Sequence, residues 1–145
     1  MVVPMPTAAP NARLQLPFVN LGLVPEAASS LLLPALVGYQ RAAELLLLGE
    51  PFSAQTAKDI GLDTAVVTED LLLETALAQA KKLAQKPATS VRLTKQLMKR
   101  SFVAAMAEQM ELEIGHYGEL LGAPAAKEAF TAFFEKRKPD FSKFD

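Results

Sequence analysis

Cysteine is absent from this 145-residue sequence, and histidine occurs once, as His116. Disulfides, thiolate catalysis, cysteine-based metal sites and multi-histidine metal motifs are therefore excluded, and no metal is expected. Charge of one sign is missing too, because 15 basic residues face 16 acidic ones and leave a net charge of -1. That balance offers no field to draw in a nucleic-acid backbone or an anionic membrane surface. Long apolar runs are also lacking. Leu31 to Val37, interrupted by Pro34, and Leu45 to Leu48 fall far short of the ~18 residues that cross a bilayer. Residues 1–10 are apolar and proline-broken but have neither a basic first segment nor a continuous apolar middle, so they do not read as a signal peptide. A cytoplasmic location is the default expectation.

What is present is apolar bulk: half of the residues are hydrophobic, enough for one domain with a real core. Residues 1–13, with Pro4, Pro6 and Pro10 among small side chains, read as a disordered tail. Leu14 to Val19 alternates loosely before the turn residues Asn20 and Gly22, which fits a short strand in which Pro17 marks an edge or bulge. Beyond Glu26 the apolar spacing is three and four, so helices follow. The first starts at Pro25-Glu26 and breaks near Pro34, and the next covers about Gln40 to Leu48 with a left-handed cap at Gly49. Ser53 caps Ala54 to Ile60, and Ala65-Val66-Val67 reads as a second short strand.

Thr68 is placed to cap a helix running to about Gln85, with Glu69 and Asp70 in its first turn and Leu73, Ala76, Leu77, Ala80, Leu83 and Ala84 along one side. Two further helices are expected over Ala88 to Ser101 and Phe102 to Leu121. A last one, Pro124 to Lys138, aligns Ala126, Ala129, Phe130, Phe133 and Phe134 and ends in Lys136, Arg137 and Lys138. Glu111 and Glu113 read as solvated helix charges. His116 has no nucleophile or carboxylate at a motif spacing and reads as an ordinary packed or exposed side chain.

Three stretches carry a resemblance. They are Asn20-Leu21-Gly22-Leu23-Val24-Pro25-Glu26-Ala27-Ala28-Ser29-Ser30, the run Arg41 to Ala54, and the ending Phe133-Phe134-Glu135-Lys136-Arg137-Lys138-Pro139-Asp140-Phe141. In this order they resemble the carboxy-terminal half of the crotonase family, the enoyl-CoA hydratases and isomerases, over residues 12 to 145. The resemblance implies a truncated α/β fold of the ClpP/crotonase-like kind, mostly α-helical over this stretch with one or two short strands. Residues 14–145 then form the carboxy-terminal half of a crotonase domain, including helices that pack between subunits of a homo-oligomer, a trimer or hexamer. Family members are almost twice as long. Their first half supplies most of the sheet and the two backbone N–H groups that hold the thioester oxygen, and nothing before Leu14 matches it.

The resemblance also implies the chemistry. Acyl-CoA is the substrate and no cofactor is expected. Hydratases need two carboxylates because adding water moves a nucleophile and a proton separately; the matching position for one of these is Phe18, and the other falls in the unmatched half. Isomerases that move a β,γ double bond into conjugation need one base. In a subgroup it is the glutamate of a Pro-Glu-x-x-Ser-Ser turn, here Glu26. From the residues alone, proline followed by glutamate is an ordinary helix start. Phe133 and Lys136 match positions that contact the adenine and phosphates of CoA; without the resemblance they are a core phenylalanine and a dipole-complementing lysine. Ala35 and Asp63-Thr64 depart from the family pattern. The alternative reading is a non-catalytic remnant, a helical oligomerisation module.

Overall fold

The structure, a computed structural model, describes residues 7–144. Its elements are β1 (Thr7–Ala8), β2 (Arg13–Leu14), a 3-10 turn (Val19–Leu21), α1 (Ser29–Val37), α2 (Tyr39–Ala43) running into a π-helical turn (Glu44–Leu48), β3 (Phe52–Ser53), α3 (Ala54–Asp59), β4 (Ala65–Val66), α4 (Glu69–Ala84), α5 (Ala88–Leu121) and α6 (Pro124–Phe134). They fall into two compact units where composition suggests one: residues 7–14 with Phe52–Ala105, and Gln15–Pro51 with Met106 to the carboxy end. Among the described residues no helix is long and apolar enough to cross a membrane.

In the first unit, β1 and β4 pair in parallel, Thr7 with Ala65 and Ala8 with Val66, and β2 and β3 pair antiparallel, Arg13 with Ser53 and Leu14 with Phe52. Residues 7 and 8 are thus paired backbone, not the disordered tail expected; residues 1–6 of that tail lie outside the described residues. The strand expected over Leu14 to Val19 is confined to Arg13–Leu14, because Pro17 cannot donate to a ladder and the chain then tightens into the 3-10 turn. Among the described residues there are thus four two-residue strands, where one or two are expected. Ser53 caps α3 as its position suggests, its Oγ accepting from the Thr56 N–H at 3.0 Å. Thr68 precedes α4, but its hydroxyl makes no capping bond. The apolar side expected of α4 is uncovered: the helix buries no residue, and Leu73 is 70% exposed.

Residues 88–121 form one helix instead of two. Nothing between Ala88 and Ile114 is glycine or proline, so no residue near Ser101 stops propagation over the 34 residues. Several of its large apolar side chains are exposed, among them Leu97 and Met98, the latter at 73%.

The second unit is held by small residues. Ala28, Ala42, Ala126, Ala129 and Ala132 are buried together with Leu23, Leu33, Leu45 and Leu46. Close approach is built in at two glycines. At Gly22, φ is +66° and an added Cβ would lie 2.8 Å from the Ala126 backbone nitrogen; at Gly49, φ is +58° and a Cβ would overlap the Asn20 side chain. The left-handed cap expected at Gly49 is present, and the Gln15 side-chain amide donates to its carbonyl at 2.8 Å. Helix α1 begins at Ser29, three residues after the expected start, and it continues through Pro34 to Val37. The proline removes one donor, but the Gly38 N–H bonds the Pro34 carbonyl at 3.0 Å and the turn beyond it survives.

Helix α6 ends at Phe134, not Lys138. Its alanines form the buried face, so Phe133 and Phe134 face out of the unit instead of aligning with Ala126 and Ala129. Lys136 takes a left-handed φ of 55°, the Arg137 N–H bonds the Ala132 carbonyl at 3.0 Å, and the Lys136 N–H bonds that of Phe133 at 3.2 Å. This is a Schellman ending with lysine where glycine is usual. The folded-back tail is fastened by Arg137, whose guanidinium forks onto both oxygens of Glu128 and whose Nε donates to Glu135 at 2.7 Å. The Asp140 N–H adds a bond to Glu128 at 2.9 Å.

Two outcomes follow. The hydrogen bond from Arg137, then that from Asp140, hold the Glu128 carboxyl at about 2, down from its ordinary 4.5. A depressed carboxylate contributes above its unfolded pKa and loses that contribution as pH falls through its folded one. Tail docking should thus be intact above about pH 4.5 and lost toward pH 2, and Arg137→Gln should move the midpoint up toward 4.5. The Asp140 amide resonance followed against pH checks this, and an unmoved midpoint would contradict it. The second outcome concerns Leu36, Tyr39, Leu47 and Leu48, all exposed in the second unit, Leu47 at 67%. With so much apolar side chain in water, the 145-residue chain by itself should self-associate. A single monomeric boundary in sedimentation velocity, with no binding of a hydrophobic dye, would contradict this.

Candidate active site

The segment from Val24 to Ser30 is a turn whose backbone takes an unusual course. Ala27 and Ala28 both have left-handed φ, 60° and 57°. For residues with a Cβ this costs roughly 1–2 kcal/mol each, so something must hold it. One local bond contributes, from the Ser29 N–H to the Glu26 carbonyl at 3.0 Å. The rest comes from Glu113 on α5. Its carboxylate accepts the Ala28 N–H at 2.6 Å, the Ser30 N–H at 3.1 Å and the Ser30 hydroxyl. Gln109, one helical turn earlier, donates its Nε2 to the Ser30 Oγ at 2.8 Å.

The arrangement answers a chemical need of α1. Ala28, its N-cap residue, has no side-chain oxygen with which to accept a free N–H of the first turn. Glu113 supplies that oxygen from 83 and 85 residues away. It is only 4% exposed, which overturns the expectation of a solvated charge; Glu111, two residues before it, is exposed as expected. No sequence signal marks Glu113, because a glutamate in mid-helix looks the same whether it faces water or an amide of a distant turn.

Glu26 stands at the front of this turn, exposed and ahead of α1 rather than in its first turn amid Leu and Val side chains. Its carboxylate has no hydrogen-bond or ion-pair partner among the described residues, so it is free to meet a group from outside. Phe18, at the position the resemblance gives to a hydratase carboxylate, is half-buried, and its carbonyl accepts the Leu23 N–H at 2.9 Å. Phe133 and Lys136 are brought together by the Schellman turn. Phe133 is 73% exposed, with its ring edge-on to Phe134 at 5.8 Å, and Lys136 is exposed beside it. No hydrogen bond, ion pair or ring contact joins either to Glu26 among the described residues. His116 is exposed, its Nδ1 3.6 Å from Glu119.

Comparison with known proteins gives the family of the chain. The family model for enoyl-CoA hydratase/isomerase matches residues 2–143. A probable enoyl-CoA hydratase of Bacillus subtilis (strain 168) is 37% identical over 135 residues, which cover 92% of this chain and 52% of the relative. The 1,2-epoxyphenylacetyl-CoA isomerase of Escherichia coli (strain K12) is 35% identical over 136 residues, covering 93% and 52%. Among solved structures, an enoyl-CoA hydratase/isomerase from Pseudoalteromonas atlantica T6c superposes with a TM-score of 0.91 at 40% identity, over 95% of this chain and 56% of that one. The chain spans about half the length of the curated relatives it matches. Both sequence and backbone thus lead to one conclusion, that the chain belongs to the enoyl-CoA hydratase/isomerase family and adopts part of the crotonase fold.

Proposed function

We propose that this chain carries the base of an enoyl-CoA isomerase that shifts the β,γ double bond of an acyl-CoA to the α,β position, with Glu26 as the single base. The observation that supports this reading most is the Glu26 turn: a carboxylate with no partner among the described residues, on a backbone held in a strained course from behind. Such a base needs a fixed origin and a free head, because proton transfer demands hydrogen-bond reach to the proton it takes.

The reaction asks little else of these residues. The Glu26 carboxylate takes a proton from the carbon α to the thioester, and the electron pair of that C–H bond spreads onto the thioester oxygen and along the former double bond. The same carboxylic acid then returns the proton at the γ carbon, and the product is the conjugated thioester with no atom gained or lost. The negative charge on the thioester oxygen requires preorganised N–H donors. The resemblance assigns those to the part of the family's fold that this chain does not cover. Phe133 and Lys136, exposed on one turn, suit an adenine ring and a phosphate of CoA, by stacking and by charge. Phe18 favours isomerisation over hydration because a phenyl ring can neither take nor give a proton.

A second reading has an observation of its own. The uncovered apolar residues of α4 and α5, Leu73, Leu97 and Met98 among them, suit an oligomerisation module that joins copies of a longer chain as a trimer or hexamer. The two readings are compatible when the module and the base belong to one enzyme.

The test is made in the protein that bears this chain together with the rest of the fold. Glu26→Gln should lower turnover of a β,γ-unsaturated acyl-CoA by ~10²–10⁴-fold and leave KM close to its original value, because only proton transfer is lost. Near-normal turnover would reject the base. Efficient hydration of crotonyl-CoA by the same protein would reject the isomerase in favour of a hydratase.

A further inference from the structure

Of the described residues that the proposed reaction does not use, Glu113 is the charged one that is buried. It is a buried carboxylate whose two oxygens accept from the Ala28 N–H, the Ser30 N–H and the Ser30 hydroxyl. We propose that Glu113 is a positioning residue for Glu26: by fixing the backbone of residues 28 and 30 it sets the direction from which the Glu26 carboxylate approaches a substrate. The proposal rests on the reading of Glu26 as the base.

The mechanical link is short. Ala28 is two residues beyond Glu26, and the Ser29 N–H bond to the Glu26 carbonyl closes the turn between them. Ala27 and Ala28 hold left-handed φ values that alanine seldom adopts unaided. If the bonds to Glu113 were released, this pair would relax toward ordinary φ and swing Glu26 with it. Ala28 itself cannot take over, since it has no acceptor in its side chain.

The chemistry of the acceptor is also specific. Two N–H groups and a hydroxyl converge on Glu113, and a carboxylate offers an acceptor at both ends. Glutamine in its place would turn one end into a donor facing a donor. Gln109 completes the set. By donating to the Ser30 Oγ it leaves that hydroxyl's hydrogen directed at Glu113, so Ser30 is held from two sides by residues one turn apart on α5.

Positioning and mere structural support are separated by a double-mutant cycle, in the full protein, on a β,γ-unsaturated acyl-CoA. Glu113→Gln should lower kcat about 10²-fold, the scale on which a displacement of about 1 Å acts, with KM changed by less than about threefold. The double variant Glu26→Gln/Glu113→Gln should be no slower than Glu26→Gln, because a base that is gone cannot be misplaced. Ser30→Ala, which spares the backbone bonds, should cost about tenfold in kcat, and this milder variant carries the test if Glu113→Gln does not fold. Amide exchange at Ala28 should accelerate in Glu113→Gln whatever the catalytic outcome. Wild-type kcat in both Glu113→Gln and Ser30→Ala, beside an inactive Glu26→Gln, would overturn the positioning role and leave the base standing. So would a double variant slower than Glu26→Gln by the full 10²-fold. Near-normal turnover of Glu26→Gln alone would overturn the base and, with it, the purpose given to Glu113.

Discussion

One buried carboxylate decides the course of the chain around its most informative turn. Without the Glu113 oxygens, the Ala28 and Ser30 N–H groups would be left in a largely enclosed setting with no acceptor, and an unpaired buried polar group costs ~1–3 kcal/mol. With them, two alanines stay in a left-handed conformation and helix α1 begins at Ser29. The interaction spans more than 80 residues of sequence but lies wholly within the second unit, between α1 and the latter part of α5. The position of Glu26 follows from it, and so does the start of the helix that carries Leu33 into the core.

The packing around this turn runs on small residues and leaves large ones outside. Ala126, Ala129 and Ala132 of α6 sit at no more than 4% exposure, and Gly22 presses against the backbone at Ala126, so elements approach closely without bulky side chains between them. Leu36, Leu47 and Ile114 of this unit are turned to solvent, and in the other unit so are Leu73, Leu97 and Met98. Beside a core built of alanines and only a few leucines, that many exposed large apolar side chains leave apolar surface that the core does not use. The curated relatives are about twice as long as the stretch matched here.

Local chemistry was readable from the sequence, and distant chemistry was not. Gly49 as a left-handed cap and Ser53 as an N-cap both follow from the residue and its immediate neighbours, and both are in the structure. The extent of α2 with its π-helical turn, ending at Leu48, also matches the spacing of its apolar residues. Pro34 misled, because a proline signals a break while the bonds on either side of it can carry the helix through. The expected division of residues 88–121 into two helices fails because no breaker stands near Ser101. Phe133 and Phe134 were aligned with a buried face that the alanines occupy instead. Glu113 could not have been found locally: its partners are brought to it by tertiary structure, and a glutamate four residues after Gln109 on a helix carries no mark of burial. The role proposed for Glu26 rests on the Pro-Glu-x-x-Ser-Ser pattern, since residue type and spacing alone describe an ordinary helix start.

The account joins a free carboxylate to a fixed backbone and assigns to that pair the transfer of one proton between two carbons. A single base for such a transfer must reach both carbons from one position, so the decisive observation is geometric. A crystal structure of the full protein, with a β,γ-unsaturated acyl-CoA analogue bound, would supply it. The account predicts one Glu26 oxygen within about 3–3.5 Å of the α carbon and the γ carbon alike, with the Ala28 N–H still on Glu113. A Glu26 carboxylate turned away from the acyl chain, with another acid or base against the α carbon, would contradict it.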